Sequence, residues 1–230
     1  MIRIRSALVL LTAITAFNAA AATPPSTEIA AAQTGWRETV VKFAAEHFKN
    51  PAWGYSHCVR DYTLAHQLAE KDHAQVDDDV LFAAAYLHDM AAFKPWEDMK
   101  RDHSDVGAAT IDVVLKGTDF PQQKLEAVRA AIRTHMYYRD PVRPEAVYLH
   151  DADALDWLGA IGIARILALV DPEGGQPTGP DAIKTIEENL KSVPPKVVSP
   201  AGRALVAPRL AESRQFLQQL SGETDNLSAL

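Results

Sequence analysis

The chain has 230 residues, 47% of them hydrophobic and 23% charged, with a formal net charge of -7. This is the composition of a globular protein long enough for one domain with a real core. The acidic balance, without any dense Lys/Arg block, excludes an extended nucleic-acid surface, and the single cysteine, Cys58, excludes an internal disulfide and a thiolate zinc site.

The first 22 residues read as a secretory signal peptide. Arg3 and Arg5 form its charged start, residues 7–17 an apolar core too short to span a bilayer, and Ala20-Ala21-Ala22 a small-residue cleavage site. The mature chain is therefore expected in the periplasm or outside the cell, with no stable membrane insertion after cleavage. Residues 23–34 form a flexible lead-in, residues 35–220 one domain, and residues 221–230 a frayed tail.

Residues 35–49 set Trp36, Val40, Phe43, Ala44 and Phe48 near helical spacing, and Asn50-Pro51 stops that helix. Residues 56–70 predict a second helix with Ser56 as N-cap. There His57, Asp61, Leu64 and Leu68 recur at i, i+4, i+7 and i+11, so His57 and Asp61 sit at the polar end of an apolar stripe. Residues 77–90 begin with three acids, continue as an apolar run and end in His88-Asp89-Met90. His88 shares a face with Leu81, Ala84 and Ala85.

A Pro95-broken loop covers residues 91–102. Residues 103–116 predict a helix with Val106, Ala109 and Val113 on one side and Gly117 as its C-cap. Residues 121–134 predict another, with Pro121 at N1 and His135 at its end. A helix over residues 144–158 carries Asp153 on a face with Ala146, Leu149 and Trp157, whereas Asp151 and Asp156 lie on other faces and read as solvated. Residues 160–170 read as a buried helix, 171–180 as a loop, 181–190 as a helix, 192–202 as irregular, and 203–220 as a last helix. No alternating strand occurs, so the fold class is all-α, in one compact domain.

His57, the pair His88-Asp89, and Asp153 all approach the apolar stripes of their helices. A buried imidazole or carboxylate costs several kcal/mol, of the order of 2–7, unless it is satisfied. Four such groups from three helices have an economical common explanation in one divalent metal, for which neutral imidazole and carboxylate are normal ligands. His47, His66, His73 and His150 are assigned to surface or packing, and nothing near Cys58 makes it a nucleophile.

The order His57 … His88-Asp89 … Asp153 resembles the HD-domain metal-dependent phosphohydrolase superfamily. Further blocks carry the resemblance: LFAAAYLHDM, His103-Ser104, IRTH ending at His135, and HDADALDWLGAIGIARIL. It implies a compact HD-type helical domain and a divalent metal ion (Mn, Mg, Zn, Fe, Co or Ni) held by His57, His88, Asp89 and Asp153. It also implies metal-dependent hydrolysis of a phosphomonoester, nucleotide or related phosphate ester by a metal-activated water. Many members carry acids just after the HD pair that help position that water; here Met90 to Lys94 hold none.

His103 and His135 are then candidates to bind the leaving-group oxygen, act as general acids, or ligate a second metal. Asp61 is a candidate to orient His57 or meet the substrate, and Lys94 and Arg133 to grip phosphate. Two other classes stay open. One is an HD-fold di-iron oxygenase using His103 and His135 as extra ligands. The other is a non-catalytic helical module that binds a small molecule.

Overall fold

In the computed structural model, residues 35–227 and 229 are described. The expected signal peptide and lead-in lie outside the described residues. Helices form every regular element: α1 (Trp36–His47), α2 (Tyr55–Lys71), α3 (Asp78–Leu87), α4 (His103–Thr110), α5 (Asp112–Leu115), α6 (Leu125–Arg133), α7 (Pro144–Asp156), α8 (Gly159–Leu167), α9 (Gly179–Ser192) and α10 (Pro200–Glu223). Short 3-10 turns occupy Met90–Ala92, Gln122–Lys124 and Pro194–Lys196. Among the described residues there is no strand, and no helix is long and apolar enough to cross a membrane.

α3 is the central helix. Every residue from Val80 to Leu87 is buried, because the run has no polar face to turn outward. It packs on α1, α2, α6 and α7. Burial of Leu81, Phe82 and Leu87 each contributes about 1.5–3 kcal/mol. Its start is held by charge. The Asp77 carboxylate caps it by accepting from the Asp79 and Val80 N–H groups. Arg37 pairs with Asp78 and Asp79 at 2.7 Å, and Lys124 with Asp77 and Asp79 at 2.8 Å.

α2 begins earlier than the sequence suggests. Its N-cap is Gly54, not Ser56. The chain folds back so tightly there that a Cβ on Gly54 would lie 2.3 Å from the Asn50 carbonyl oxygen and 2.6 Å from that of Phe48. Only glycine allows that turn, which delivers His57 to the first turn of α2.

The helix expected over residues 103–116 breaks at Ile111 into α4 and α5. Thr110 Oγ1 donates to the Val106 carbonyl, a back-bond of the kind that bends helices. The break rotates the buried side to Ile111, Val114 and Leu115, leaving Ala109 exposed and Val113 64% exposed. α6 starts at Leu125 after a 3-10 turn. α10 starts at Pro200, capped by the Ser199 hydroxyl, which accepts from the Gly202 N–H.

Asp151 is not solvated. It is fully buried and accepts the backbone N–H groups of Val198 and Ser199 at 2.8 and 2.6 Å, pinning the segment before α10 onto α7. His150 is buried beside it, in a packing role. Beyond α7, α8 and α9 build a satellite core of Ile163, Ile166, Ile183 and Ile186, which α10 covers with Phe216, Leu217 and Leu220.

Candidate metal centre

Four helices aim imidazoles and carboxylates at one point. His57 and Asp61, one turn apart on α2, face the end of α3, where His88 is the C-cap and Asp89 follows. Asp153 comes from the last turn of α7, and His103 opens α4. His135 lies just past α6. All are buried except His103, which is part-exposed.

His57 Nε2 lies 3.2 Å from Asp61 Oδ2, 3.3 Å from Asp153 Oδ1, 3.6 Å from Asp89 Oδ2 and 3.2 Å from His88 Nε2. Asp89 faces two ways. Its Oδ2 is 3.4 Å from His88 Nε2, while its Oδ1 is 3.3 Å from His103 Nε2 and 3.6 Å from His135 Nε2.

The donor set fits a cation. His88 Nδ1 donates to the Ala85 carbonyl at 2.8 Å, which leaves its Nε2 lone pair pointing inward. Both carboxylate oxygens of Asp61, and Oδ2 of Asp153, are buried without any hydrogen-bond partner. Such groups cost several kcal/mol, of the order of 1–3 each, when left orphaned. Two overlapping groups, His57-Asp61-His88-Asp153 and His88-Asp89-His135, each hold their ligand atoms within 4.8 Å of one another.

Electrostatics tell the same story of unbalanced negative charge. Burial, with the charges of Asp156 and Asp153, pushes the Asp61 carboxyl well above its ordinary range. Burial also opposes ionisation of Asp89. The His88 charge and the neighbouring imidazoles of His103 and His135 outweigh it and hold Asp89 well below the usual carboxylate range. Burial lowers His57, His88 and His103, yet neighbouring carboxylates outweigh it and all three end above 6.5. His135, where burial wins, ends below 6.5.

A cavity of about 260 Å³ opens over the cluster, with Asp89, Asp153 and His103 at its floor and Trp53, Met136 and Trp157 on its walls. A second, of about 310 Å³, shares Ala92 and His103 with it and carries Glu97, Asp98, Arg101, Asp102 and Tyr138.

The structure thus brings together His57, His88, Asp89 and Asp153, with His103 and His135 beside Asp89. Asp61 lies on the Nε2 side of His57, among the groups that could ligate, not on the Nδ1 side where it would orient the ring. Lys94 and Arg133 are not brought to the cavity. Lys94 is 85% exposed and faces Glu97 at 3.6 Å, and Arg133 is exposed on α6. Cys58 is buried, and burial pushes its thiol well up, away from nucleophilic form.

Sequence reasoning missed Asp156. It is not solvated but 2% exposed, and it takes His57 Nδ1 at 2.8 Å together with Arg60 and Arg165. α7 is buried on every side, by α2 and α3 on one and by α8 and α10 on the other, so lying off the apolar stripe does not mean facing water. The available signal was Arg165, a lone arginine in the apolar run of α8, which calls for a buried carboxylate.

The geometry defines a class first: an all-α protein whose packed helices present buried histidines and aspartates suited to a divalent ion. The family likeness follows, since residues 54–158 match the model of the HD domain. Bacillus subtilis YpgQ has the same fold, with a TM-score of 0.62 at 22% identity over 82% of this chain and 95% of that one, and has also been solved in complex with ADP. A Lactobacillus plantarum protein gives 0.61 at 23% identity over 81% and 95%. A protein from an uncultured Thermotogales bacterium, described as a predicted HD superfamily hydrolase, gives 0.57 at 26% identity over 81% and 91%. No curated protein matches the chain. An HD domain implies a divalent metal, and this domain with the likeness to the Thermotogales protein supports hydrolase activity at the level of the superfamily.

Proposed function

We propose that the protein is an exported metal-dependent phosphohydrolase, acting on a phosphomonoester, nucleotide or related phosphate ester through a metal-activated water. The observation that carries this reading is the set of inward ligand atoms of His57, Asp61, His88 and Asp153, with both oxygens of Asp61 and Oδ2 of Asp153 lacking any hydrogen-bond partner, beneath a cavity that reaches Asp89 and Asp153.

His57, Asp61, His88, Asp89 and Asp153 are the residues that would hold the ion. When bound, a divalent ion supplies a Lewis acid for the phosphoryl oxygens and makes water a nucleophile at neutral pH. His103 stands where the two cavities meet, its Nε2 3.3 Å from Asp89 Oδ1, placed to give a proton to the departing oxygen. His135, its Nδ1–H tied to the Ile132 carbonyl at 2.7 Å, presents a neutral Nε2 towards His103 and Asp89. Trp53, Met136 and Trp157 exclude water and offer apolar surface to the organic part of the ester. The complex of YpgQ with ADP supports a nucleotide among the candidates. The sequence of residues 1–22 supports export to the periplasm.

A second reading has its own observation. Asp89 turns Oδ2 to His88 and Oδ1 to His103 and His135, so Asp89, His103 and His135 are the residues that would hold a second ion. That arrangement suits a second metal and keeps a di-iron oxygenase in play.

The test is to strip the protein, reload it with Mn, Mg, Zn, Fe, Co or Ni, count ions per chain, and assay phosphate esters and nucleotides. Phosphate release with one or two ions supports the hydrolase. Two irons with a charge-transfer band and no phosphate release would shift the assignment to the oxygenase, and a retained ligand without turnover to a binding module.

A further inference from the structure

Three buried imidazoles face the cluster through Nε2, and each must have its Nδ1–H held elsewhere for that lone pair to point inward. His88 and His135 solve this locally, donating to the carbonyls of Ala85 and Ile132, three residues back in their own chain. His57 does not. The carbonyl three residues before it, that of Gly54, already accepts the backbone N–H groups of His57 at 2.9 Å and Cys58 at 3.3 Å. His57 Nδ1 turns instead to Asp156 Oδ2, at 2.8 Å, from the far end of α7.

Asp156 is itself clamped. Arg60 Nε donates to Oδ1 at 3.0 Å and Arg60 Nη2 to Oδ2 at 2.9 Å, while Arg165 Nη1 stands 3.0 Å from Oδ2. Two guanidiniums keep the carboxylate ionised and stop it from rotating. Arg165 also donates from Nε to the Ala52 carbonyl and lies 3.7 Å over the Trp157 ring. The clamp therefore ties together His57 and the two stretches that carry the cavity walls Trp53 and Trp157.

We infer that Asp156 is a positioning residue: held by Arg60 and Arg165, it fixes the Nδ1–H form of His57 and makes this imidazole the strongest nitrogen donor of the centre. A carboxylate partner strengthens an imidazole's donor power beyond what a backbone carbonyl gives, and loss of such a partner typically weakens metal affinity about 10–100-fold. The inference rests on the metal-centre reading given above.

The test uses Asp156→Asn, which keeps the shape but removes the charge. Mn²⁺ affinity is measured by calorimetry, and the ring nitrogens of His57, His88 and His135 are followed by ¹⁵N NMR in the ion-free protein, at a pH high enough for the rings to be neutral. Expected are an affinity loss of about 10–100-fold, a His57 ring no longer confined to the Nδ1–H form, and unchanged His88 and His135 rings. Should Asp156→Asn fail to fold, Arg60→Gln opens the clamp from a part-exposed side chain and is expected to move the same two readouts in the same direction. Wild-type affinity together with an unmoved His57 ring, in a folded form of either variant, overturns the inference. If the wild-type chain takes up no divalent ion, the metal reading fails, and the His57 ring nitrogens alone still decide what Asp156 does.

Discussion

His57 Nε2 and His88 Nε2 stand 3.2 Å apart, and each ring has its Nδ1 hydrogen engaged on the opposite side. Two lone pairs at that separation, ringed by Asp61, Asp89 and Asp153, repel one another unless a proton or a cation lies between them.

Removing either half of the HD pair breaks this arrangement without touching the core of α3, because His88 only caps that helix and Asp89 lies beyond it. His88→Ala and Asp89→Ala are expected to abolish divalent-ion uptake and activity, with far-UV circular dichroism within a few per cent, of order ~5%, of wild type. Turnover surviving in both variants would end the assignment.

Asp61 predicts a trade between stability and function. Its carboxylate is buried among other acids with no hydrogen-bond partner. Asp61→Asn should stabilise the ion-free protein by about 1–3 kcal/mol and raise its Tm by roughly 2–4 °C per kcal/mol. The same change should weaken ion binding sharply. Calorimetric unfolding with and without Mn²⁺ reads both effects, and a lower ion-free Tm would refute the first.

The pH dependence follows from the direction of each shift. His57, His88 and His103 sit above 6.5 in the ion-free fold, so their stabilising protons are fully present below pH 6.5 and are lost as the pH rises through the raised values. His135, lowered from 6.5, runs the other way. Asp61, raised above 3.8, loses its contribution as the pH climbs, whereas Asp89 and Asp153, lowered from 3.8, lose theirs only in strong acid. From pH 6.5 upward the three raised histidines outnumber the one lowered, so the ion-free Tm should fall towards about pH 8. A bound cation replaces those protons, so the gap between loaded and ion-free Tm should widen over that interval; a constant gap would contradict the scheme.

Substrate contacts are expected from the walls, not from the outlying cations. Trp53→Ala should raise KM roughly tenfold, about 1.4 kcal/mol of lost binding, with kcat little changed. Lys94→Ala and Arg133→Ala should each leave kcat/KM within roughly twofold of wild type, because neither side chain reaches the cavity. Steady-state kinetics on the best ester of the panel separates the two cases.

The sequence made α3 legible because its acids and apolar run leave one arrangement, a capped helix buried all round. It made His57, His88, Asp89 and Asp153 legible because each interrupts an apolar stripe, where a polar side chain needs a reason. Asp156 was hidden for the opposite reason: its face of α7 is apolar only in the folded protein, where α8 and α10 cover it. The bend at Ile111 was hidden too, since a threonine back-bond inside a helical pattern leaves no trace in periodicity. Which side of His57 Asp61 occupies is settled by the turn of the His57 ring, whose Nδ1 faces Asp156, and spacing along α2 says nothing about that.

The cavity with Asp89 and Asp153 at its floor and two tryptophans on its walls has one more implication. On the function proposed above, cation and ester would share that approach, so whatever lodges between Trp53 and Trp157 would also act as a cork. A chelator should strip the resting protein faster than the protein holding its product, and the exchange rate of the ion becomes a clock for how long the cleft stays filled.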